Sequence, residues 1–185
     1  MSAMLLKLSV LALTALVLNK VKADENSGEI NFNNDFDGEL NFECPANEVF
    51  YSIYSVHDNN YEDRRWRFTC RQAPAGATPG RCSWTGDYVN TWDEPVSYVC
   101  PRNWVLAGVH SYHSNDAEDR RWKFKCCKDS NYLTYSCDLT SYRNNWDEEL
   151  RYIVPNGKVI AGWFSVHDND KEDRRLKLLE CSYRE

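Results

Sequence analysis

One motif occurs three times in the chain, and this repeat constrains the fold more than any other feature. Each copy begins with Ser-x-His and continues with Glu-Asp-Arg-Arg five residues after the histidine; the copies span residues 55–68, 111–124 and 165–178. A fixed period of about 55 residues is typical of one structural unit used repeatedly, and a unit of this size makes only a marginal core alone. The sequence therefore predicts a single domain of three repeats, which extend over about residues 36–70, 92–127 and 146–181.

The residues of each repeat alternate between two faces. In the first copy Arg64, Trp66 and Phe68 fall on one side of an extended chain, and Arg65 and Arg67 fall on the other. Period two is typical of a β-strand, and a helix would not keep it. Three equivalent units of short strands favour a closed all-β domain with pseudo-threefold symmetry, because closure removes exposed strand edges. The pattern does not choose between a trefoil-like and a prism-like topology.

The first residues of the chain have the pattern of a secretion signal. An apolar run from Leu8 to Leu18 follows a weakly basic start, and Ala23 offers a small residue for cleavage. The run is too short to span a bilayer as a helix, which needs about 20 residues. We therefore expect a signal peptide at residues 1–23, a secreted mature domain at residues 24–185 and no transmembrane segment.

The charge balance argues against two classes of partner. The chain carries 22 Lys and Arg against 28 Asp and Glu, a net charge of −6, and loss of the signal peptide with its lysines makes it more acidic. Nucleic acid and anionic membranes attract proteins with a net positive field. The sequence also contains no nucleophile elbow, no His-Glu-x-x-His and no phosphate loop, so neither enzyme activity nor a cofactor is expected.

Eight cysteines indicate an oxidising compartment and a disulfide-stabilised domain. Two positions, 26 residues apart, hold cysteine in the first two repeats and lose it together in the third, as a bonded pair would. The repeat thus predicts Cys44 with Cys70, Cys100 with Cys126, Cys82 with Cys127, and Cys137 with Cys181. A swap of the adjacent Cys126 and Cys127 stays open. Zinc ligation by cysteine is not expected, since no Cys-x-x-Cys occurs.

The repeated Asp-Arg-x-Trp-x-Phe core, at residues 63–68 and 119–124, resembles the dermatopontin family of extracellular matrix proteins. The Cys-Pro at Cys44 and Cys100 and the Cys126-Cys127 doublet fit the same family. The resemblance covers essentially the whole mature chain. It implies a secreted, acidic, non-enzymatic protein that binds proteoglycans, promotes collagen fibril assembly and supports cell adhesion. Invertebrate relatives include haemagglutinating lectins, biomineral matrix proteins and a cytotoxin.

Departures from the vertebrate members indicate an invertebrate-type member. The chain has fewer cysteines, it lacks their Tyr-rich N-terminal stretch, and Leu176 replaces the third motif tryptophan. The sequence therefore supports membership of the family more strongly than it supports the matrix roles of the vertebrate members.

A polar turn before each Glu-Asp-Arg-Arg run is one candidate ligand site. Asp and Asn side chains can bind sugar hydroxyls, and threefold display would add avidity to weak single sites. The alternative is that these residues only form and cap the turn. The residues are His57, Asp58, Asn59, His113, Asn115, Asp116, His167, Asp168 and Asn169. No metal is expected, because the loops lack the calcium-loop pattern.

Outward-facing basic residues are the second candidate site, for sulfated glycosaminoglycan, with a solvated surface as the alternative. They are Arg65, Arg67, Arg121, Lys123, Lys125, Arg175 and Lys177. A structural role is expected for the inward set Asp63, Arg64, Trp66, Asp119, Arg120, Trp122, Asp173 and Arg174. We expect carboxylates such as Asp37, Asp93 and Asp147 to anchor its arginines. Trp66, Trp122, Trp92 and Trp146 are expected in the core.

The sequence thus predicts a secreted matrix and cell-adhesion protein. Its expected partners are proteoglycans or glycosaminoglycans, collagen, and cell-surface receptors or glycans, and the oligomeric state is left open. The alternative is a carbohydrate-binding lectin or haemagglutinin of innate defence, and a toxin is a remote one. Binding that weakens steeply with salt would favour a polyanion surface, whereas inhibition by a neutral sugar would favour the lectin.

Overall fold

The computed structural model describes residues 30–73, 81–128 and 133–184. The chain divides into residues 1–30 and residues 31–185, and the second unit is described below. The expected signal peptide, residues 1–23, lies outside the described residues. Within them every regular element is a β-strand, which confirms the all-β class. None of the same residues forms a helix long and apolar enough to cross a membrane.

Eleven strands lie in the described part of the chain. They are β1 (Leu40–Glu43), β2 (Glu48–Asp58), β3 (Asp63–Gln72), β4 (Arg81–Trp84), β5 (Val96–Val99), β6 (Val105–Ser114), β7 (Asp119–Lys128), β8 (Leu133–Leu139), β9 (Leu150–Ile153), β10 (Lys158–Asp168) and β11 (Asp173–Arg184). They form three sheets, with the strand orders β1-β6-β7-β4, β5-β10-β11-β8 and β3-β2-β9. One long antiparallel hairpin lies in each sheet and carries one copy of the motif.

The first strand of each repeat pairs with the hairpin of a different repeat. β1 of the first repeat pairs with β6 of the second, and β5 of the second pairs with β10 of the third. β9 of the third repeat returns to β2 of the first. The sheets are therefore joined in a closed cycle, in which each is completed by a strand from another repeat.

The hairpin turns have the same backbone conformation in all three repeats. The residue before each Asp-Arg has a positive φ, which is 49° at Glu62, 41° at Glu118 and 45° at Glu172. In the first turn the carboxylate of Asp58 accepts a hydrogen bond of 2.9 Å from the backbone N–H of Asn60. In the third turn Asp168 accepts the same bond, at 3.0 Å, from the backbone N–H of Asp170. The first and third loops thus contain Asx turns, which support the chain reversal.

Three tryptophans meet in the core. The ring centroids of Trp66, Trp122 and Trp163 lie 5.3–5.7 Å apart, and each residue is at most 3% exposed. The rings of Trp66 and Trp122 meet edge to face at 85°, a geometry that aromatic pairs favour. The tryptophans thus form one shared cluster within the apolar core.

The third tryptophan reaches this cluster from a different strand. Trp163 lies on β10, at the position that Ile53 and Val109 hold in the other repeats, while Leu176 on β11 replaces the motif tryptophan. The third repeat has therefore exchanged a large and a small side chain between adjacent strands. Such an exchange keeps the total core volume, which cores tolerate best.

Four disulfides occur in the described residues. They join Cys44 to Cys70, Cys82 to Cys127, Cys100 to Cys126, and Cys137 to Cys181, as the repeat predicts, and not in the swapped pairing. Cys82 and Cys127 are direct cross-strand partners in β4 and β7, and Cys137 and Cys181 are partners in β8 and β11. These two bonds fasten an outer strand to its hairpin.

Val154 and Glu180 hold the two positions at which the third repeat lacks a cysteine pair. Val154 is 1% exposed. The Oε1 atom of Glu180 is buried and has no hydrogen-bond partner among the described residues. Burial raises the pKa of the Glu180 carboxyl, and the charge of Arg143 only partly opposes this. A charged Glu180 therefore destabilises the folded third repeat locally.

We expect Trp163→Ile to lower the free energy of unfolding by about 3 kcal/mol, because it leaves a void in a filled core. Leu176→Trp alone should cost about 1–3 kcal/mol through overpacking. The double variant should be more stable than the sum of the two losses implies, since the new indole fills the void. Urea unfolding of the four proteins measures the coupling. If the loss of unfolding free energy in the double variant equalled the sum of the two single losses, the proposed exchange of side chains would be contradicted.

We expect Glu180→Gln to raise the free energy of unfolding at pH 7 and to change it little at roughly pH 3. The folded-state pKa of Glu180 is raised. The folded protein therefore becomes less stable as the pH rises above the ordinary Glu value of about 4.3, where the unfolded chain ionises more readily than the folded one. Glu149→Gln is the control, because a hydrogen bond from Arg151 lowers the pKa of Glu149. A stability gain in the control, or none at pH 7 in Glu180→Gln, would contradict this account.

Candidate functional site

The motif arginines bind aspartates of a different repeat. Arg120 donates from Nε and Nη2 to both oxygens of Asp63, each at 2.6 Å. Arg174 bonds Asp119 at 2.5 and 2.7 Å, and Arg64 bonds Asp173 at 2.5 and 2.7 Å. The side chains of all six residues are at most 6% exposed. We call these three bidentate pairs the Arg–Asp ring.

The partners in the ring differ from those expected. The sequence suggested Asp37, Asp93 and Asp147 as anchors of the arginines. Each of these three instead donates its backbone N–H to the ring aspartate of its own repeat at 2.9 Å. Their positive φ angles of 59–63° turn the N–H toward that carboxylate. The carboxylates of Asp63, Asp119 and Asp173 thus bind both an arginine and a backbone turn.

The three motif histidines lie beneath the turns, not on the surface with them. The side chains of His57, His113 and His167 are each 1% exposed, whereas Asn59 and Asn115 are exposed. Asp116 and Asn169 are exposed too, and Asp58 and Asp168 are partly exposed. The structure therefore divides the predicted turn site into a buried imidazole and an exposed Asx part.

A small cavity of about 20 Å³ lies where the three motifs meet. It is lined by the His, Glu, Asp and Arg of every motif and by Trp66 and Trp122. Burial raises the pKa of the carboxyls of Glu118 and Glu172, and His113 and His167 oppose the shift. The cavity has room for about one water molecule. These glutamates were not predicted from the sequence, although the Glu before each Asp-Arg was a visible signal.

The outward arginines stack on aromatic rings. The guanidinium carbon of Arg65 lies 4.3 Å from the ring centroid of Phe32 and 4.7 Å from that of Phe36. Arg121 lies over Tyr88 and Trp92 at 4.9 and 5.7 Å, and Arg175 lies over Tyr142 and Trp146 at 3.9 and 5.3 Å. Trp92 and Trp146, which were expected in the core, are half-buried under these arginines. The prediction for these two residues was therefore wrong.

A second cation follows on the same strand face in each repeat. The Nζ atoms of Lys123 and Lys177 lie 4.7 and 4.4 Å from the rings of Tyr88 and Tyr142, and Arg67 is exposed. Lys125 differs, because its ammonium group pairs with Glu43 at 2.5 Å. We call the three sets the cation–aromatic surfaces: Arg65 and Arg67 with Phe32 and Phe36; Arg121 and Lys123 with Tyr88 and Trp92; and Arg175 and Lys177 with Tyr142 and Trp146.

Three buried asparagines, which were not predicted from the sequence, also hold the strands. Asn34, Asn90 and Asn144 each accept a backbone N–H with Oδ1 at 2.8–3.0 Å. Each also donates with Nδ2 to the carbonyl of its repeat's ring arginine at 2.9–3.1 Å. The available signal was an Asn two residues before the aromatic at the start of every repeat.

A larger pocket lies beside the second repeat. Its volume is about 380 Å³, and its wall includes Arg81, Trp84, Tyr98, Trp104 and Cys126. Burial raises the pKa of the Tyr98 hydroxyl. The volume lies in the range of small-ligand sites, and the wall combines aromatic faces with polar groups.

Comparison with known proteins gives one family and several relatives. The family model described as Dermatopontin matches residues 34–185. The chain is 45% identical to a hemagglutinin/amebocyte aggregation factor of Limulus polyphemus, over 80% of this chain and 85% of the relative. It is 39% identical to Millepora cytotoxin-1 of Millepora dichotoma (80% and 65%) and 39% identical to a dermatopontin of Biomphalaria glabrata (77% and 93%). No solved structure matches the chain.

We expect Arg120→Met to lower the free energy of unfolding by about 3–5 kcal/mol, because it leaves the buried carboxylate of Asp63 without its cation. Arg120→Lys should give an intermediate loss, since lysine cannot form the bidentate pair. Arg151→Met is the control, because its pair with Glu149 is exposed and such pairs contribute at most about 1 kcal/mol. Guanidinium unfolding measures all three. Equal losses for Arg120→Met and Arg151→Met would contradict a structural role of the ring.

Proposed function

This chain belongs to the dermatopontin family, and from that premise we propose that it is a secreted, non-enzymatic adhesion protein that binds anionic glycans of the matrix or the cell surface. The four disulfides support an extracellular location. The ring arginines and aspartates are engaged with one another, which favours a structural role for the motif over a catalytic one.

The observation that carries this proposal is a set of unpaired cations on an acidic protein. In the described residues none of the six cations of the cation–aromatic surfaces forms an ion pair with a carboxylate, whereas Lys125 and Arg151 do. Stacking on the rings holds the guanidinium groups in place before a ligand arrives. A glycosaminoglycan presents sulfate and carboxylate groups, and cationic side chains form charge-assisted hydrogen bonds with such anions.

Three such surfaces in one chain favour adhesion over simple binding. Each repeat contributes one surface, so a long polyanion or several chains can be bound at once, and avidity then exceeds single-site affinity. We infer that the repeats are related by pseudo-threefold symmetry, which the cyclic order of the strand pairs and of the Arg–Asp ring supports. Proteoglycans or glycosaminoglycans are the proposed partners.

The test is heparin binding by the oxidised mature protein at low and at physiological salt. We expect wild-type binding to weaken steeply with salt. The triple variant Arg67→Gln, Lys123→Gln and Lys177→Gln should bind roughly tenfold more weakly, a loss of about 1.4 kcal/mol, because it removes one unpaired cation from each surface.

The matched control removes three cations that already have carboxylate partners. It combines Lys125→Gln, Arg151→Gln and Lys158→Gln, whose ion-pair partners are Glu43, Glu149 and Asp138. Both triple variants change the net charge equally, so the control should retain most of the affinity. Equal losses in the two would mean that binding follows net charge alone and would overturn the assignment of these surfaces.

A second candidate is a lectin that agglutinates cells through neutral sugars. The 45% identical relative is named a hemagglutinin and aggregation factor, and the pocket walled by Trp84 and Trp104 offers aromatic faces on which a sugar ring can stack. The exposed Asx turns are the other sugar-binding candidates. Agglutination that a free neutral sugar inhibits at both salts, and that Trp104→Ala abolishes, would favour this candidate over the polyanion surface.

A further inference from the structure

We propose that the chain binds two divalent transition-metal ions of the Zn²⁺ type at the junctions between repeats. The first site comprises Asp37, Asp63 and His113, and the second comprises Asp93, Asp119 and His167. In each triad one ligand atom from every residue lies within 4.8 Å of the other two. No metal was expected from the sequence.

The histidines supply the observation that points to a ligand. The His113 side chain is 1% exposed, and neither ring nitrogen has a hydrogen-bond partner among the described residues. For His167 only Nε2 lacks a hydrogen-bond partner among the described residues, because Nδ1 lies 3.1 Å from Oδ1 of Asn169, a contact that a metal ion would replace. Nδ1 of His113 lies 3.5 Å from Oδ1 of Asp37, and Nδ1 of His167 lies 3.6 Å from Oδ1 of Asp93. These gaps are too long for good hydrogen bonds. They are close to the separation of about 3.3 Å between two ligands of one tetrahedral zinc ion.

The ring aspartates keep one free acceptor position in both triads. Oδ1 of Asp63 accepts one hydrogen bond, from Arg120, while Oδ2 accepts from Arg120 and from the backbone of Asp37. In Asp119, likewise, Oδ1 accepts only from Arg174, while Oδ2 accepts from Arg174 and from the backbone of Asp93. Because a carboxylate oxygen has two lone pairs, each Oδ1 retains one for a metal.

The corresponding cluster of the third repeat lacks this free position. Oδ1 of Asp173 accepts from Nε of Arg64 and also from the backbone N–H of Arg174 at 2.6 Å. The ring of His57 is turned as well, with Nδ1 toward Asp173 and Nε2 toward Asp147. The structure therefore assigns two sites, not three, although the residue types are the same in every repeat.

Charge and access fit a divalent cation. At the first site Asp37, Asp63 and Glu118 surround the imidazole, with Nε2 of His113 at 3.7 Å from Oε2 of Glu118, and Arg120 offsets one of the three carboxylates. The Asp37 and Asp93 side chains are 33% and 44% exposed, which gives each site a route from solvent. One imidazole with two carboxylates suits Zn²⁺ better than Ca²⁺, which prefers oxygen ligands alone.

The test is equilibrium dialysis of the metal-free, oxidised mature protein against Zn²⁺ in excess Ca²⁺, with bound zinc measured by mass spectrometry. We expect two zinc ions per chain. His113→Asn and His167→Asn should each retain one, and the double variant none. His57→Asn and His110→Asn, which cover the two other histidines of the chain, should retain both.

A second set of measurements separates loss of the site from loss of the fold. Asp37→Asn changes a partly exposed ligand and should also reduce the count to one, and circular dichroism should show the wild-type fold. Co²⁺ bound to the wild type should give the intense visible absorption of a tetrahedral site. Absence of zinc from the wild type, only the weak absorption of hydrated Co²⁺, or an unchanged count in folded Asp37→Asn would each overturn the proposal.

Discussion

The rest of the structure depends on the buried Arg–Asp ring. Arg64, Arg120 and Arg174 are almost completely removed from water, and burying a guanidinium group is costly unless its charge is paired. The matching carboxylate always belongs to a different repeat. No repeat therefore buries its own arginine without a neighbour. The ring therefore stabilises the assembled domain and not a single repeat, and packing of the tryptophan cluster adds to that stability.

The third repeat shows which interactions the fold tolerates losing. It has Val154 and Glu180 in place of a disulfide, and it supplies its core indole from β10. It nevertheless keeps Asp173 and Arg174 in the same bidentate geometry as the other repeats. One disulfide and the position of the core indole inside the third repeat have thus changed, whereas its ion pairs with the other repeats are retained. This pattern fits a domain whose integrity depends on its junctions.

Much of the fold could be predicted because the signals were local or repeated. Period-two alternation gave the strands, and joint loss of two cysteines in the third repeat indicated the pairing found for Cys44 and Cys70. The ring partners could not be predicted, since alternation tells which face Arg64 occupies but not which repeat it meets. The positive φ of Asp37, which turns a backbone N–H toward Asp63, is likewise set by tertiary contacts. The burial of His113 beneath its turn is also set by tertiary contacts, so the sequence did not predict it.

The return of β9 to β2 has a consequence for synthesis of the chain. Residues are made from the N-terminus, so β2 and β3 exist long before their outer partner at Leu150–Ile153 has left the ribosome. During that interval the first hairpin exposes a strand edge that only the last repeat can cover. Contacts between distant residues form slowly because the intervening loop must close first. The final pairing is therefore a late step in folding, and a truncated chain would carry an unpaired edge that invites association with other chains.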